Sequence, residues 1–155
     1  MIRLNLGCGF NKIPGLTNID CDRRVNPDLL CDIENGLPFE DSTVDEIFAK
    51  DFLEHIHPDK VIFVIEEIYR VLKPKGKFES ITPSTDGRGA FQDPTHRSFW
   101  NINSWLYYTD DAHRSFYNIN AKFEVLMLVD FVGNERLKVI YTQAVLLKSE
   151  KELIL

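Results

Sequence analysis

Two glycines follow directly on a run of alternating residues in Leu4-Asn5-Leu6-Gly7-Cys8-Gly9. Glycine accepts a positive φ and carries no side chain, so a bulky ligand can approach the backbone at such a turn. A dinucleotide fingerprint has a third glycine three residues on; Lys12 stands there, which disfavours a nicotinamide cofactor. Alone, the segment is equally well a tight turn. Asp20 and Asp32 add weight, because each closes an apolar burst. A carboxylate at Asp20 can accept hydrogen bonds from both hydroxyls of a ribose. Asp32 can take the exocyclic amine of an adenine, with Ile33 against the ring. One acid at a strand end is ordinarily a solvated or capping group, but two at successive strand ends after a glycine turn outline an adenosine site. Further along, Asp93-Pro94-Thr95-His96-Arg97 offers a ring that can act as a base near neutral pH, His96, and a carboxylate to orient it, Asp93, a candidate catalytic pair. The plainer reading is a capped turn in which Asp93 and Arg97 bond the loop to itself. Phe99, Trp100, Trp105 and Tyr107 form either a substrate wall or part of the core. His55 and His57 with Cys21 and Cys31 match no recognised ligand spacing, so no metal site is expected. The three cysteines read as small buried hydrophobes.

Those residues need elements to position them. Apolar bursts bounded by turn residues predict strands over 2–6, 16–20, 29–33, 44–49 and 77–82. Residues 58–72 predict the clearest helix, with Val61, Ile65, Ile68 and Leu72 on one face, Pro58 in its first turn and Lys73-Pro74-Lys75-Gly76 as its stop. A short aromatic helix is predicted over 101–108. Two β-rich runs, 123–132 and 137–147, flank Gly133-Asn134 and predict a hairpin. The pattern implies an α/β fold of one domain over residues 1–155, with ligands at the carboxyl ends of the strands. Parallel neighbours need a crossover of about a dozen residues, usually helical. The segments after the first two strands are too short and too rich in Gly and Pro for good helices, so one sheet face is expected to be thinly covered. Arg3 and Asn5 alternating with Ile2, Leu4 and Leu6 agree with that. Either a second subunit, giving a homodimer, or the C-terminal hairpin is expected to cover it.

Bulk properties narrow the function classes. The chain has 155 residues, a net charge of -6 and three cysteines. Residues 1–60 hold 6 basic and 12 acidic groups, and the remainder 12 of each. No basic stripe is visible, so a nucleic-acid substrate is not expected and a small-molecule acceptor fits better. No apolar run reaches the length of a membrane span. Met1 leads straight into the first strand, and the odd cysteine count suits a reducing compartment, so the expected location is cytoplasmic with no membrane association.

Several segments together resemble the class I S-adenosylmethionine-dependent methyltransferases, most closely the small type 11 group. They are Leu4-Asn5-Leu6-Gly7-Cys8-Gly9, Gly15-Leu16-Thr17-Asn18-Ile19-Asp20, Asp32-Ile33 and Leu37-Pro38-Phe39-Glu40-Asp41-Ser42-Thr43-Val44-Asp45, then Phe52-Leu53-Glu54-His55-Ile56 and the run 67–76, Glu67 to Gly76. They span about residues 2–108 in the family's order. The resemblance implies a Rossmann-like sheet, mostly parallel with a C-terminal antiparallel hairpin, and S-adenosylmethionine as cofactor. Asn5, Gly7, Cys8 and Gly9 would hold the methionine part, Asp20 the ribose, and Asp32 with Ile33 the adenine. Backbone around Lys50 and Asp51 would face the sulfonium. The family's leading acid is replaced here by Asn5 and its last glycine by Asn11. The expected activity is methyl transfer to oxygen or carbon of a small molecule. The alternative is a non-catalytic cofactor-binding or oligomeric assembly module with the same fold.

Overall fold

Local sequence explains most of the elements. In the computed structural model, which describes residues 1–150, they are β1 (Arg3–Leu6), β2 (Thr17–Asp20), β3 (Leu29–Leu30), β4 (Val44–Lys50), α1 (Val61–Val71), β5 (Leu72–Pro83), α2 (Gly89–Gln92), α3 (Leu106–Thr109), α4 (Asp111–Ser115), β6 (Phe123–Asn134) and β7 (Val139–Lys148). The seven strands form one sheet in the order β3-β2-β1-β4-β5-β7-β6. The first five are parallel, and β7 joins β5 and β6 antiparallel. This is the α/β arrangement expected, reduced helices included. No α-helix lies between β1 and β2 or between β2 and β3; a single 3-10 turn, Arg23–Val25, occupies the second connection.

Cross-strand rows assign the faces. Leu4, Ile47, Phe78 and Leu146 are paired in one row, and Leu6, Ala49, Ser80 and Ala144 in another. Both rows are buried beneath α1 and the aromatic segment 100–108. α1 contributes Val64, Ile65, Ile68 and Val71, a helical stripe shifted slightly from the predicted one because Leu72 already belongs to β5. The opposite face carries the row Asn5, Phe48, Glu79, Val145 and Met127. Over β1 and β2 it is closed by the loop after Gly7. There Asn5 Nδ2 donates to Asn18 Oδ1 at 2.9 Å, and Asn18 Nδ2 donates to Asp28 Oδ2 at 2.7 Å. Over β5, β6 and β7 nothing among the described residues covers it, and Met127, Val129 and Phe131 are each more than a third exposed. The C-terminal hairpin widens the sheet edge rather than folding over this face, which removes one of the two expected covers.

Three boundaries differ from expectation for physical reasons. β3 stops at Leu30 because Asp32 turns the chain, its Oδ1 accepting from Glu34 N at 3.1 Å to cap the 3-10 turn Ile33–Asn35. β5 starts directly at the end of α1, and Pro74 sits where the register with β4 shifts. The hairpin turns at 135–138, not at Gly133-Asn134. Gly133 lies in β6 where a Cβ would fall 2.5 Å from the Tyr141 ring, and Asn134 Oδ1 accepts from Leu137 N to start the turn. No helix of the described residues is long and apolar enough to cross a membrane.

Candidate functional site

The carboxyl ends of β1, β2, β3 and β4 open into one cleft of about 580 Å3. Gly7 and Gly9 form its floor after β1, both with positive φ. At Gly7 the glycine is required twice over, since a Cβ would fall 2.3 Å from the Phe52 ring. Asp20 stands at the end of β2. Its Oδ2 accepts from Gly9 N and its Oδ1 from Asp22 N, both at 2.8 Å, which fixes the carboxylate against the glycine turn with lone pairs to spare. Asp32 is held likewise by Glu34 N and by Asn35 Nδ2 at 2.9 Å. Ile33 is buried beside it, and Asp51 follows β4 with a φ of 50°.

The sequence-predicted residues Gly7, Gly9, Asp20, Asp32, Ile33 and Asp51 therefore share one cavity wall. Asn5, Cys8 and Lys50 do not. Asn5 points to the opposite sheet face, buried against Asn11 and Asn18, because side chains alternate along a strand. Cys8 is buried behind the turn, and the exposed Lys50 pairs in the row of Ile81, on the face away from α1. Val25, Phe52, Thr95 and Arg97 also line the cleft, and none of them is assigned to the cofactor site by the sequence. Of the cysteines, Cys8 is buried as expected, but Cys21 is exposed and Cys31 half-buried at the wall. Desolvation, reinforced by nearby carboxylates, raises all three thiols.

Charge and backbone define what fits. Asp20, Asp22, Asp32, Glu34 and Asp51 line the cleft against one permanent cation among its lining residues, Arg97. A phosphate-bearing ligand is repelled there. No helix follows Gly9 to offer N-terminal amides to a pyrophosphate. A neutral or cationic ligand rich in hydroxyl and amino donors suits it.

His96 and Asp93 lie outside this wall, in an adjoining hollow of about 170 Å3 that shares Asp51 and His55 with it. The two are not a hydrogen-bonded pair, His96 Nε2 and Asp93 Oδ2 being 3.9 Å apart. His96 is oriented instead by its Nδ1, which donates to Ala90 O at 2.9 Å. Asp93 Oδ1 accepts from Thr95 N and Thr95 Oγ1, the capped turn of the plainer reading, and these bonds hold its carboxyl below the usual range. The hollow also contains Glu54, 2% exposed, neither of whose carboxyl oxygens has a hydrogen-bond partner among the described residues. Burial, and secondarily Asp51 and Asp93, push it up to about 8. Of the aromatic residues, Trp105 is core, and Trp100, also buried, joins Phe99 and Tyr107 in lining an open groove of about 550 Å3 that meets the cleft at Arg97.

A family model described as a methyltransferase domain, of the type 11 group, matches residues 4–79, about half of the chain. No curated protein sequence matches significantly. Solved structures match over nearly its whole length. A SAM-dependent methyltransferase from Methanosarcina mazei has a TM-score of 0.67 at 17% identity, covering 95% of this chain and 92% of its own. A Burkholderia thailandensis 1,6-didemethyltoxoflavin N1-methyltransferase, solved with 1,6-didemethyltoxoflavin and S-adenosylhomocysteine, gives 0.65 at 17%, covering 96% and 71%. A Haloferax volcanii putative methyltransferase, solved in complex with a methyltransferase activator, gives 0.69 at 16%, covering 96% and 82%. At these identities the structural likeness is one of fold, and the matched segment adds the ordered motifs. By that match the chain belongs to the class I S-adenosylmethionine-dependent methyltransferase family, and the solved structures share its fold.

Proposed function

We propose that the chain binds S-adenosylmethionine in the cleft at the ends of β1 to β4 and transfers its methyl group to oxygen or carbon of a small molecule. The observation that carries this reading is the acid-lined, phosphate-averse cavity built on the Gly7–Gly9 turn. Asp20 would take the ribose hydroxyls and Asp32 the adenine amine beside Ile33. The sulfonium and ammonium charges would meet a surplus of carboxylates. Methyl transfer asks the protein chiefly to align an acceptor with the carbon–sulfur bond and exclude water, since the cofactor supplies the activated methyl. The groove of Phe99 and Tyr107 would hold an apolar acceptor. His96, its Nε2 lone pair left free by the Ala90 contact, would receive the proton of an acceptor hydroxyl, with Asp93 nearby to stabilise the imidazolium.

Calorimetric titration with S-adenosylmethionine, and separately with S-adenosylhomocysteine, tests the cofactor. Micromolar binding that is lost in Asp20→Ala is expected. No binding up to about a millimolar, an affinity worth only about 4 kcal/mol, would replace this reading with the assembly module. That second reading has its own support in the uncovered sheet face, which we infer to join two copies of the chain.

A further inference from the structure

Glu54, His55 and His96 form an arrangement that methyl transfer by itself does not need. Glu54 lies in the 3-10 turn Leu53–His55 after β4, clamped on both sides by buried Leu53 and Ile56. The segment 95–98 crosses over it, with Arg97 N and Ser98 N donating to the Glu54 carbonyl at 2.7 and 3.0 Å. The side chain is thereby sealed against the hollow with both oxygens unpaired. Buried carboxylates in proteins are paired or bind metals, and one with neither partner calls for an explanation.

One ring nitrogen each of His55 and His96 and one Glu54 oxygen all lie within 4.8 Å of one another. With bonds of roughly 2.1 Å, ligand atoms on a common ion sit about 3.4 Å apart, so modest rotamer closure completes the site. The outer contacts already prepare both imidazoles. His96 Nδ1 donates to the Ala90 carbonyl, which leaves Nε2 as the acceptor nitrogen. Thr95 gives its hydroxyl proton to Asp93 at 2.7 Å and so takes one from His55 Nδ1 at 3.3 Å, again leaving Nε2. Metal-binding histidines are held in this way, with the second nitrogen donating to an outer oxygen. The two rings meet edge to face, 5.0 Å between centroids. His57, by contrast, is half exposed and its Nδ1 accepts from Asp59 N.

We propose that Glu54, His55 and His96 bind a divalent transition-metal ion of the zinc type. Two imidazoles and one carboxylate favour such an ion over magnesium or calcium, which take oxygen ligands. Three protein ligands leave a coordination position open. Because the hollow shares Asp51 and His55 with the cleft, an oxygen donor on the acceptor can fill that position. This last step rests on the methyl-transfer reading, while ion binding does not. With the ion bound, the His96 lone pair is committed to it, so the base role given to His96 above belongs to the ion-free protein.

Protein stripped with chelator and titrated with Zn2+, and with Co2+ as a spectroscopic probe, decides the matter. The expected result is uptake of one ion per chain, a raised melting temperature and d–d bands of low-symmetry cobalt. His96→Ala and Glu54→Gln are expected to lose more than the roughly 10–100-fold in affinity that removal of an outer partner costs; Thr95→Val should fall within that range. His57→Ala and His113→Ala should bind as the unaltered chain does. Melting curves in chelator report whether each variant folds. No uptake by the unaltered protein overturns the proposal whatever the variants do, and so does binding that survives His96→Ala. S-adenosylhomocysteine binding, measured on the stripped protein, fails or succeeds independently and keeps the two readings distinguishable.

Discussion

Gly7 and Gly9 look equivalent in the sequence, yet different forces hold them. Both have positive φ, +61° and +49°, a region that costs a side-chain-bearing residue about 1–2 kcal/mol. A Cβ on Gly9 would meet nothing within 4 Å, whereas one on Gly7 would strike the Phe52 ring. Gly9→Ala is accordingly expected to lower stability by about 1 kcal/mol and to fold. Gly7→Ala should cost about 3 kcal/mol once overpacking adds to the backbone term, and should displace Phe52 from the cleft wall. Chemical denaturation of both variants checks the ordering, and equal losses would mean that the Phe52 contact yields freely. Thr95 and Ala90 illustrate the same point, since neither has chemistry of its own and both decide which nitrogen of a histidine is free.

Among the elements, α1 is tied to the loop before β4 chiefly by the pair Arg70 and Glu67. Arg70 donates twice to Glu67, at 2.7 and 2.8 Å, and also to Asp41 Oδ1 and to the carbonyls of Phe39 and Leu37. Glu67 in turn accepts from Leu37 N. Hydrogen bonding to Arg70 comes first among the causes that hold the Glu67 carboxyl below its ordinary value of 4.5. Arg70→Met is expected to reduce stability by about 2 kcal/mol near neutral pH. A carboxyl depressed by folding binds fewer protons in the native than in the unfolded state. Its contribution is therefore present above pH 4.5 and lost as pH falls through the folded value. The gap between the two proteins should narrow in acid, as measured by urea unfolding across that range. A gap independent of pH would assign the loss to packing of the arginine stem instead.

On the scale of the whole molecule, the α1 side of the sheet is a finished core and the other side is not. Phe48, Ile81, Tyr141, Val145 and Leu147 share that second face with the exposed Met127, Val129 and Phe131, relieved by the pairs Lys77–Glu46 and Gln143–Glu79. Exposed apolar surface of this extent marks an interaction site in soluble proteins. If two copies of the chain cover each other here, sedimentation equilibrium should give a dimer, and Val129→Lys should give a folded monomer. A monomeric unaltered protein that binds no hydrophobic dye would exclude the arrangement.

The sequence by itself determined what depends on neighbours along the chain. The alternation in β1 and β4, the apolar stripe of α1 and the turn glycines were legible because period and backbone preference are local. So were Asp20 and Asp32, since a strand end is visible as the point where an apolar burst stops. Alternation separates the two faces of a strand, but tertiary structure alone decided which face each element packs against and which residues open on the cleft. It sent Asn5 and Lys50 away from the cleft, extended the sheet with the hairpin instead of covering it, and fixed Cys21 outside and Cys8 inside. It also carried His96 across some forty residues of sequence to His55 and sealed Glu54 between them. Burial and desolvation depend on what packs from a distance, and no spacing in the chain records that.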